Sequence, residues 1–189
     1  MKKRKSGRII GVFGLPCSGK TTIIKALMES SRELMAHIST GDIARKLSDV
    51  NELANMADGN LFSDEDKMRS ELLSMINKRK SQGAEVIFLD SCPRFDDQVH
   101  WMISQQLVGP DEGCLIKITG DNLIDRAKER MRDDQDATDK LTKKIVTQSK
   151  FIDSMERAIF YYSIPYFTIM NHDLEHAVRQ LAKYAGLRK

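Results

Sequence analysis

Gly14-Leu15-Pro16-Cys17-Ser18-Gly19-Lys20-Thr21 fits the pattern G-x-x-x-x-G-K-[ST], and the apolar run Arg8-Ile9-Ile10-Gly11-Val12-Phe13 stands directly before it. A strand that ends in a glycine-rich turn and feeds a helix aims backbone N–H groups and the helix N-terminus at one spot, an arrangement suited to a polyphosphate. In such a loop Lys20 reaches the outer phosphates, and Thr21 or Thr22 offers a hydroxyl to a divalent cation. Gly14, Pro16, Cys17, Ser18, Gly19, Lys20, Thr21 and Thr22 are accordingly the expected nucleotide-binding residues, with Cys17 a small tolerated residue of the loop.

Beyond the loop, short runs rich in Ile, Val and Phe alternate with longer stretches of helical period, the pattern of an α/β fold with a parallel sheet. Five strands are expected: Arg8 to Phe13, Met35 to Ser39, Glu85 to Asp90, Cys114 to Thr119 and Tyr166 to Met170. Met68, Leu72, Met75 and Ile76 mark one helix face after a start near Ser63-Asp64-Glu65-Asp66, where acidic residues suit the helix dipole. Leu141, Ile145, Ile152, Met155, Ile159 and Tyr162 form a stripe on a long helix that ends before Pro165. A last helix opens at Asn171 to Asp173 and buries Leu174, Ala177, Val178 and Leu181. Right-handed crossovers then put helices on both faces of the sheet and ligands at the carboxyl ends of its strands.

A chain of 189 residues suits one domain with a real core, and 30 basic against 27 acidic residues give a net charge of only +3. No global basic field marks a nucleic-acid binder, and no apolar stretch approaches a membrane span. Lys2, Lys3, Arg4 and Lys5 read as a solvated basic tail with no apolar region of signal-peptide length behind it. Cys17, Cys92 and Cys114 are odd in number and scattered, which points to a reducing, cytoplasmic setting rather than a disulfide framework. The four histidines show no metal-ligand spacing and read as structural, as does Trp101, a partly buried helix residue.

Val86-Ile87-Phe88-Leu89-Asp90 delivers a carboxylate at the tip of an apolar strand. Opposite a phosphate-binding loop, that placement suits the oxygen ligation of Mg²⁺, with Thr21 and Asp90 as the metal-site pair.

Four segments, in order, resemble the adenylate kinase family of nucleoside monophosphate kinases. They are Gly14 to Thr22, His37-Ile38-Ser39-Thr40-Gly41-Asp42-Ile43-Ala44-Arg45, Gly59-Asn60-Leu61-Phe62-Ser63-Asp64-Glu65, and Asp90-Ser91-Cys92-Pro93-Arg94 followed by Gln98. The resemblance implies a three-layer P-loop NTPase fold in a single kinase domain, with a helical acceptor-binding insertion at about residues 40–83 and a minimal lid at about 126–140. It implies ATP as phosphoryl donor, Mg²⁺ as cofactor and small nucleotides as partners; composition gives no membrane or strong nucleic-acid signal, and a monomer is expected. Thr40, Gly41, Arg45, Leu61, Phe62, Arg94 and Gln98 would bind the acceptor, while Lys20, Arg94, Arg126, Arg130 and Arg132 would serve catalysis, Arg126 also flanking the donor. Thr40 and Gln98 follow the AMP-type pattern, so AMP is the expected acceptor.

Departures from the family centre on the lid. Asp133-Asp134 follows Arg130 almost at once, Met131 stands where an arginine is usual with Arg132 one place later, and Lys143 or Lys144 stands roughly where another arginine belongs. A poorly covered site lets water compete for the phosphoryl group. That keeps open a P-loop kinase of another nucleotide or metabolite, or a P-loop ATPase or interaction module.

Overall fold

The computed structural model of the protein describes residues 7–187 except 32, 49–64 and 111, and leaves the side chain of Ser48 outside the description. Its elements run β1 (Arg8–Phe13), α1 (Lys20–Ser30), β2 (Met35–Ser39), α2 (Thr40–Ser48), α3 (Glu65–Ser81), β3 (Val86–Asp90), α4 (Asp96–Ser104), β4 (Gly113–Thr119), α5 (Leu123–Arg130), α6 (Gln135–Tyr161), β5 (Tyr166–Met170) and α7 (Leu174–Tyr184). The five expected strands form one sheet in the order β2-β3-β1-β4-β5, with every neighbouring pair parallel. Two bounds move by one residue: Glu85 precedes β3 rather than opening it, and β4 starts at Gly113.

Alternation along the buried strands sorts side chains to two faces. Ile10, Val12, Phe88, Ile116, Ile118 and Ile169 pack with Ile23, Ile24 and Leu27 of α1 and with Ala177 and Leu181 of α7. On the other face Ile9, Phe13, Ile38, Ile87, Leu89 and Leu115 meet α3 through Met68, Leu72 and Ile76, α4 through Val99 and Met102, and α6 through Ile152, Met155 and Ile159. The result is three layers, helix, sheet and helix, as expected for an α/β P-loop NTPase fold.

Two apolar residues leave the expected faces. Tyr162 falls one residue past α6 as its C-cap, is 37% exposed, and sets its ring edge-on to His100. Leu174 opens α7 at 43% exposure, where the helix has not yet turned its apolar side to the sheet. Asp173 caps that helix by accepting from the His176 amide. The proposed cap at Ser63-Asp64 lies outside the described residues; α3 is described from Glu65, with Glu65 and Asp66 in its first turn.

Parallel pairing brings all five strand ends to one edge, where Gly14, Thr40, Ser91, Gly120 and Asn171 each follow a strand. Between β1 and its neighbours the fit is tight. A Cβ on Gly113 would stand 2.3 Å from the Ile9 carbonyl oxygen and 2.6 Å from that of Leu107. Backbone on both sides leaves nothing to yield. Gly113→Ala should cost on the order of 2–3 kcal/mol of stability, read as a lowered midpoint in urea; an unchanged midpoint would show that the strand relaxes freely there.

Candidate functional site

The loop after β1 is held by close approach and by hydrogen bonds. Gly14 has φ +139, and a Cβ there would lie 2.1 Å from the Ile118 carbonyl oxygen, so only glycine fits over β4. Gly19, at φ 90, leads into α1, and Asn171 Nδ2 donates to the Ser18 carbonyl at 2.8 Å, tying the loop to the end of β5. Leu15 and Cys17 lean on a small cluster of Ala127, Leu141 and Ile145 from α5 and α6. Cys17 therefore has a packing role in the loop.

Beneath the loop Lys20 is buried and its ammonium donates to the carbonyls of Gly14 at 3.0 Å and Leu15 at 2.8 Å. Burial lowers its pKa to about 8, with the Asp90 carboxylate working against that fall. Asp90 is 1% exposed. Its Oδ2 accepts from the Thr21 hydroxyl at 2.5 Å and lies 3.2 Å from His37 Nε2. Burial alone would raise the carboxyl pKa, but those hydrogen bonds and the Lys20 charge outweigh it, and the group sits below its ordinary value.

Around this centre opens a cleft of about 690 Å³. Gly14, Pro16, Cys17, Gly19, Lys20, Thr21 and Thr22 line one side, while Ser18 is buried under the loop. Gly41, Arg45 and Arg94 line the other. A Cβ on Gly41 would meet Arg94 Nη2 at 3.6 Å and Arg45 Nη1 at 3.7 Å, so two guanidinium groups converge on one bare backbone position. Arg94 is anchored by Nε donating to the Ser91 carbonyl at 3.1 Å, and burial lowers its pKa. Arg45 pairs with the Asp42 carboxylate one helical turn away. Arg126 and Arg130 enter from α5, and Arg126 Nη2 donates to the Asn171 carbonyl at 3.3 Å.

The other expected residues fall elsewhere. Thr40 is buried, its hydroxyl donating toward the Asp90 and Ser91 carbonyls and accepting from Arg94, and with Gln98 it lines a smaller slot behind Arg94. Arg132 lies outside the cleft, 79% exposed and paired only loosely with Asp133 at 3.7 Å. Leu61 and Phe62 lie outside the described residues.

Against known proteins, the model of the AAA domain family matches residues 13–145, from the end of β1 into α6. The chain belongs to that family. The chain is also adenylate kinase-like: the adenylate kinases of two strains of Helicobacter pylori are each 27% identical over 128 residues, an alignment covering 64% of this chain and 64% of each relative. The chain thus spans under two thirds of the length of those relatives.

In this adenylate kinase-like chain, only Met131 to Asp134 join α5 to α6. Asp134 caps α6 by accepting from the Ala137 amide at 2.9 Å. Of the two candidate lysines, Lys144 enters the cleft and Lys143 is exposed. Gln148 joins it there, a polar residue interrupting the apolar stripe of α6, and that interruption is the signal in the sequence that marks it. His37, read from spacing as structural, lines the cleft against Asp90 because β2 pairs with β3 in register. Among the described residues no helix is long and apolar enough to cross a membrane.

Burial lowers the Lys144 pKa to about 8 from the ordinary 10.5, and Arg94, Lys20 and Arg45 push the same way. Between those two values the unfolded chain holds a proton that the folded chain has lost, so Lys144 makes stability rise with pH across that window. Below it the folded state bears the full cost of the buried charge. Lys144→Gln should therefore melt above the wild type at about pH 7, with the gap closing as pH rises from about 8 toward 10. A gap that stays constant or widens with pH would contradict a buried, charged Lys144.

Proposed function

We propose that the protein is an ATP- and Mg²⁺-dependent nucleoside monophosphate kinase that moves the γ-phosphoryl group of ATP to AMP. One observation carries this reading: Arg45 and Arg94 close on Gly41 across the same cleft that the loop and Lys20 line. Two guanidinium forks at one point suit an anionic acceptor held bidentately, facing a donor polyphosphate.

Phosphoryl transfer asks the protein chiefly for alignment and for positive charge around the moving oxygens. The Lys20 ammonium, resting on loop carbonyls, exchanges them for donor phosphate oxygens. Arg45 and Arg94 hold the acceptor phosphate, and Arg126 and Arg130 bring charge to the donor side from α5. The Thr21 hydroxyl and the Asp90 carboxylate are adjacent hard oxygen donors, which fits Mg²⁺ held through waters and nucleotide oxygens. When bound, that ion neutralises charge on the donor phosphates.

The AMP-type pair Thr40 and Gln98 beside Arg94 supports AMP as acceptor. On this reading 40–83 form the acceptor-binding insertion and 126–140 the short lid of one kinase domain. One chain carries both halves of the cleft, which supports a monomer, and the free thiols of Cys17, Cys92 and Cys114 support a cytoplasmic setting. The four-residue join between α5 and α6 favours a second activity, slow ATP hydrolysis without acceptor.

A coupled assay with ATP, Mg²⁺ and each common nucleoside monophosphate tests the reading. AMP should turn over fastest; no turnover with any monophosphate would overturn it. Arg45→Met should raise the acceptor KM at least about tenfold while the ATP KM stays within about twofold. Hydrolysis without acceptor should exceed a no-enzyme control.

A further inference from the structure

Behind Arg94 a slot of about 20 Å³ lies between α3 and α4, room for the edge of a planar ring rather than for a whole one. Arg94 lines both this slot and the main cleft, so a group entering the slot is continuous with whatever Arg94 holds. Met68 and Leu72 give it apolar walls, and Trp101 closes one side.

Among its lining residues the Glu65 carboxylate is taken up by Arg69, and N–H donors remain. Arg69 Nη2 donates to Glu65 at 2.5 Å and to Asp97 at 3.3 Å, and the guanidinium carbon lies 5.9 Å from the centre of the Trp101 ring. Those two bonds leave Arg69 Nε, which is buried and has no hydrogen-bond partner among the described residues. Gln98 adds a second donor. Its Oε1 accepts from the Arg94 amide at 2.8 Å, which fixes the side-chain orientation and leaves its NH₂ group for the slot. The Thr40 hydroxyl proton is committed to backbone carbonyls. A slot with two N–H donors and apolar walls is complementary to a flat ring edge that presents lone pairs. A buried donor without a partner is costly, so the ligand that satisfies it is selected over one that does not.

We infer that Arg69 is a specificity residue of the acceptor site, donating its Nε–H to a ring nitrogen of the acceptor's purine base. The inference rests on the kinase reading for the identity of the acceptor, and it adds a residue that no sequence motif marked. Purines offer such nitrogens at several positions, whereas a sugar phosphate without a base offers none.

Trp101 is the single tryptophan of the chain and stands in the wall of the slot, so its fluorescence reports occupancy directly. The full chain is titrated with AMP, with ribose 5-phosphate, and with AMP analogues in which one ring nitrogen is replaced by carbon. AMP should change the emission, and one analogue should bind about tenfold more weakly than AMP. Arg69→Lys keeps a cation for Glu65 and Asp97 but lacks Nε. It should bind AMP about tenfold more weakly than wild type, bind ribose 5-phosphate equally well, and no longer distinguish that analogue from AMP. Arg69→Met should behave as Arg69→Lys does, with far-UV circular dichroism confirming that both variants are folded. Equal AMP affinity in Arg69→Lys and wild type would overturn the inference, as would an AMP titration that leaves the emission unchanged. An intact AMP titration without phosphoryl transfer would instead sink the kinase reading and leave the base contact standing.

Discussion

The Asp90 carboxylate is the interaction on which the rest of the site leans. It sits at the tip of β3, between β2 and β1, at 1% exposure. A lone carboxylate so buried would favour its neutral form; three neighbours reverse that preference. Thr21 comes from the first turn of α1, His37 from β2, and the Lys20 charge from under the loop. Lys20 and Thr21 share the first turn of α1 and His37 comes from β2, so the start of α1, β2 and β3 all meet at this one carboxylate. The Thr40 hydroxyl on the Asp90 carbonyl ties the start of α2 to the same residue. The two sides of the cleft are thus tied to one another through a single residue, by its side chain and its backbone.

Much of this was legible in the sequence because it rests on local patterns. The apolar run before Gly14 fixes β1, and its alternation splits the core: Ile9 and Phe13 go to one layer, Ile10 and Val12 to the other. Asp90 was legible as a carboxylate ending an apolar strand. What local pattern does not carry has two physical origins, helix ends and long-range neighbours. Tyr162 and Leu174 lie at helix ends, where a stripe extrapolated at constant period runs past the last packed turn. His37 was invisible as a site residue because its partner is 53 positions away and only parallel register makes them neighbours. Arg69 carries no motif; its environment comes from Glu65, Asp97 and Trp101 on two helices.

The α5–α6 hairpin shows how a short connection changes the loop beneath it. Ala127, Leu141 and Ile145 form their own cluster, and Leu15 and Cys17 of the loop pack into it with Leu123 and Met131. The loop is therefore clamped from above by apolar contact as well as from below by Ile118 and Asn171. With four residues joining the helices, the hairpin contributes Arg126, Arg130, Leu141 and Lys144 to the cleft lining from its helix faces. Arg132 sits on that turn and remains in solvent, while Arg126 and Arg130, one helical turn apart, share the inner face of α5. The positive charge that α5 brings to the cleft thus sits at helix positions whose direction is set by packing.

The cleft gathers positive charge at a cost in stability that a bound anion would offset. Burial above all, and then nearby arginines, push Lys20 and Lys144 toward neutrality, with the Asp90 carboxylate opposing the shift at Lys20. Removing water from such a group strengthens repulsion as much as it would strengthen attraction to a ligand. A polyphosphate entering the cleft supplies the missing negative charge, and the same low-dielectric surroundings then work for binding. A lysine at position 144 differs from an arginine in this setting. Its compact ammonium loses its proton within reach of ordinary pH, whereas a guanidinium would keep it. Charge at that point of the cleft is therefore conditional on occupancy: a bound anion raises the Lys144 pKa and fixes the proton, and an empty cleft releases it as pH rises past about 8.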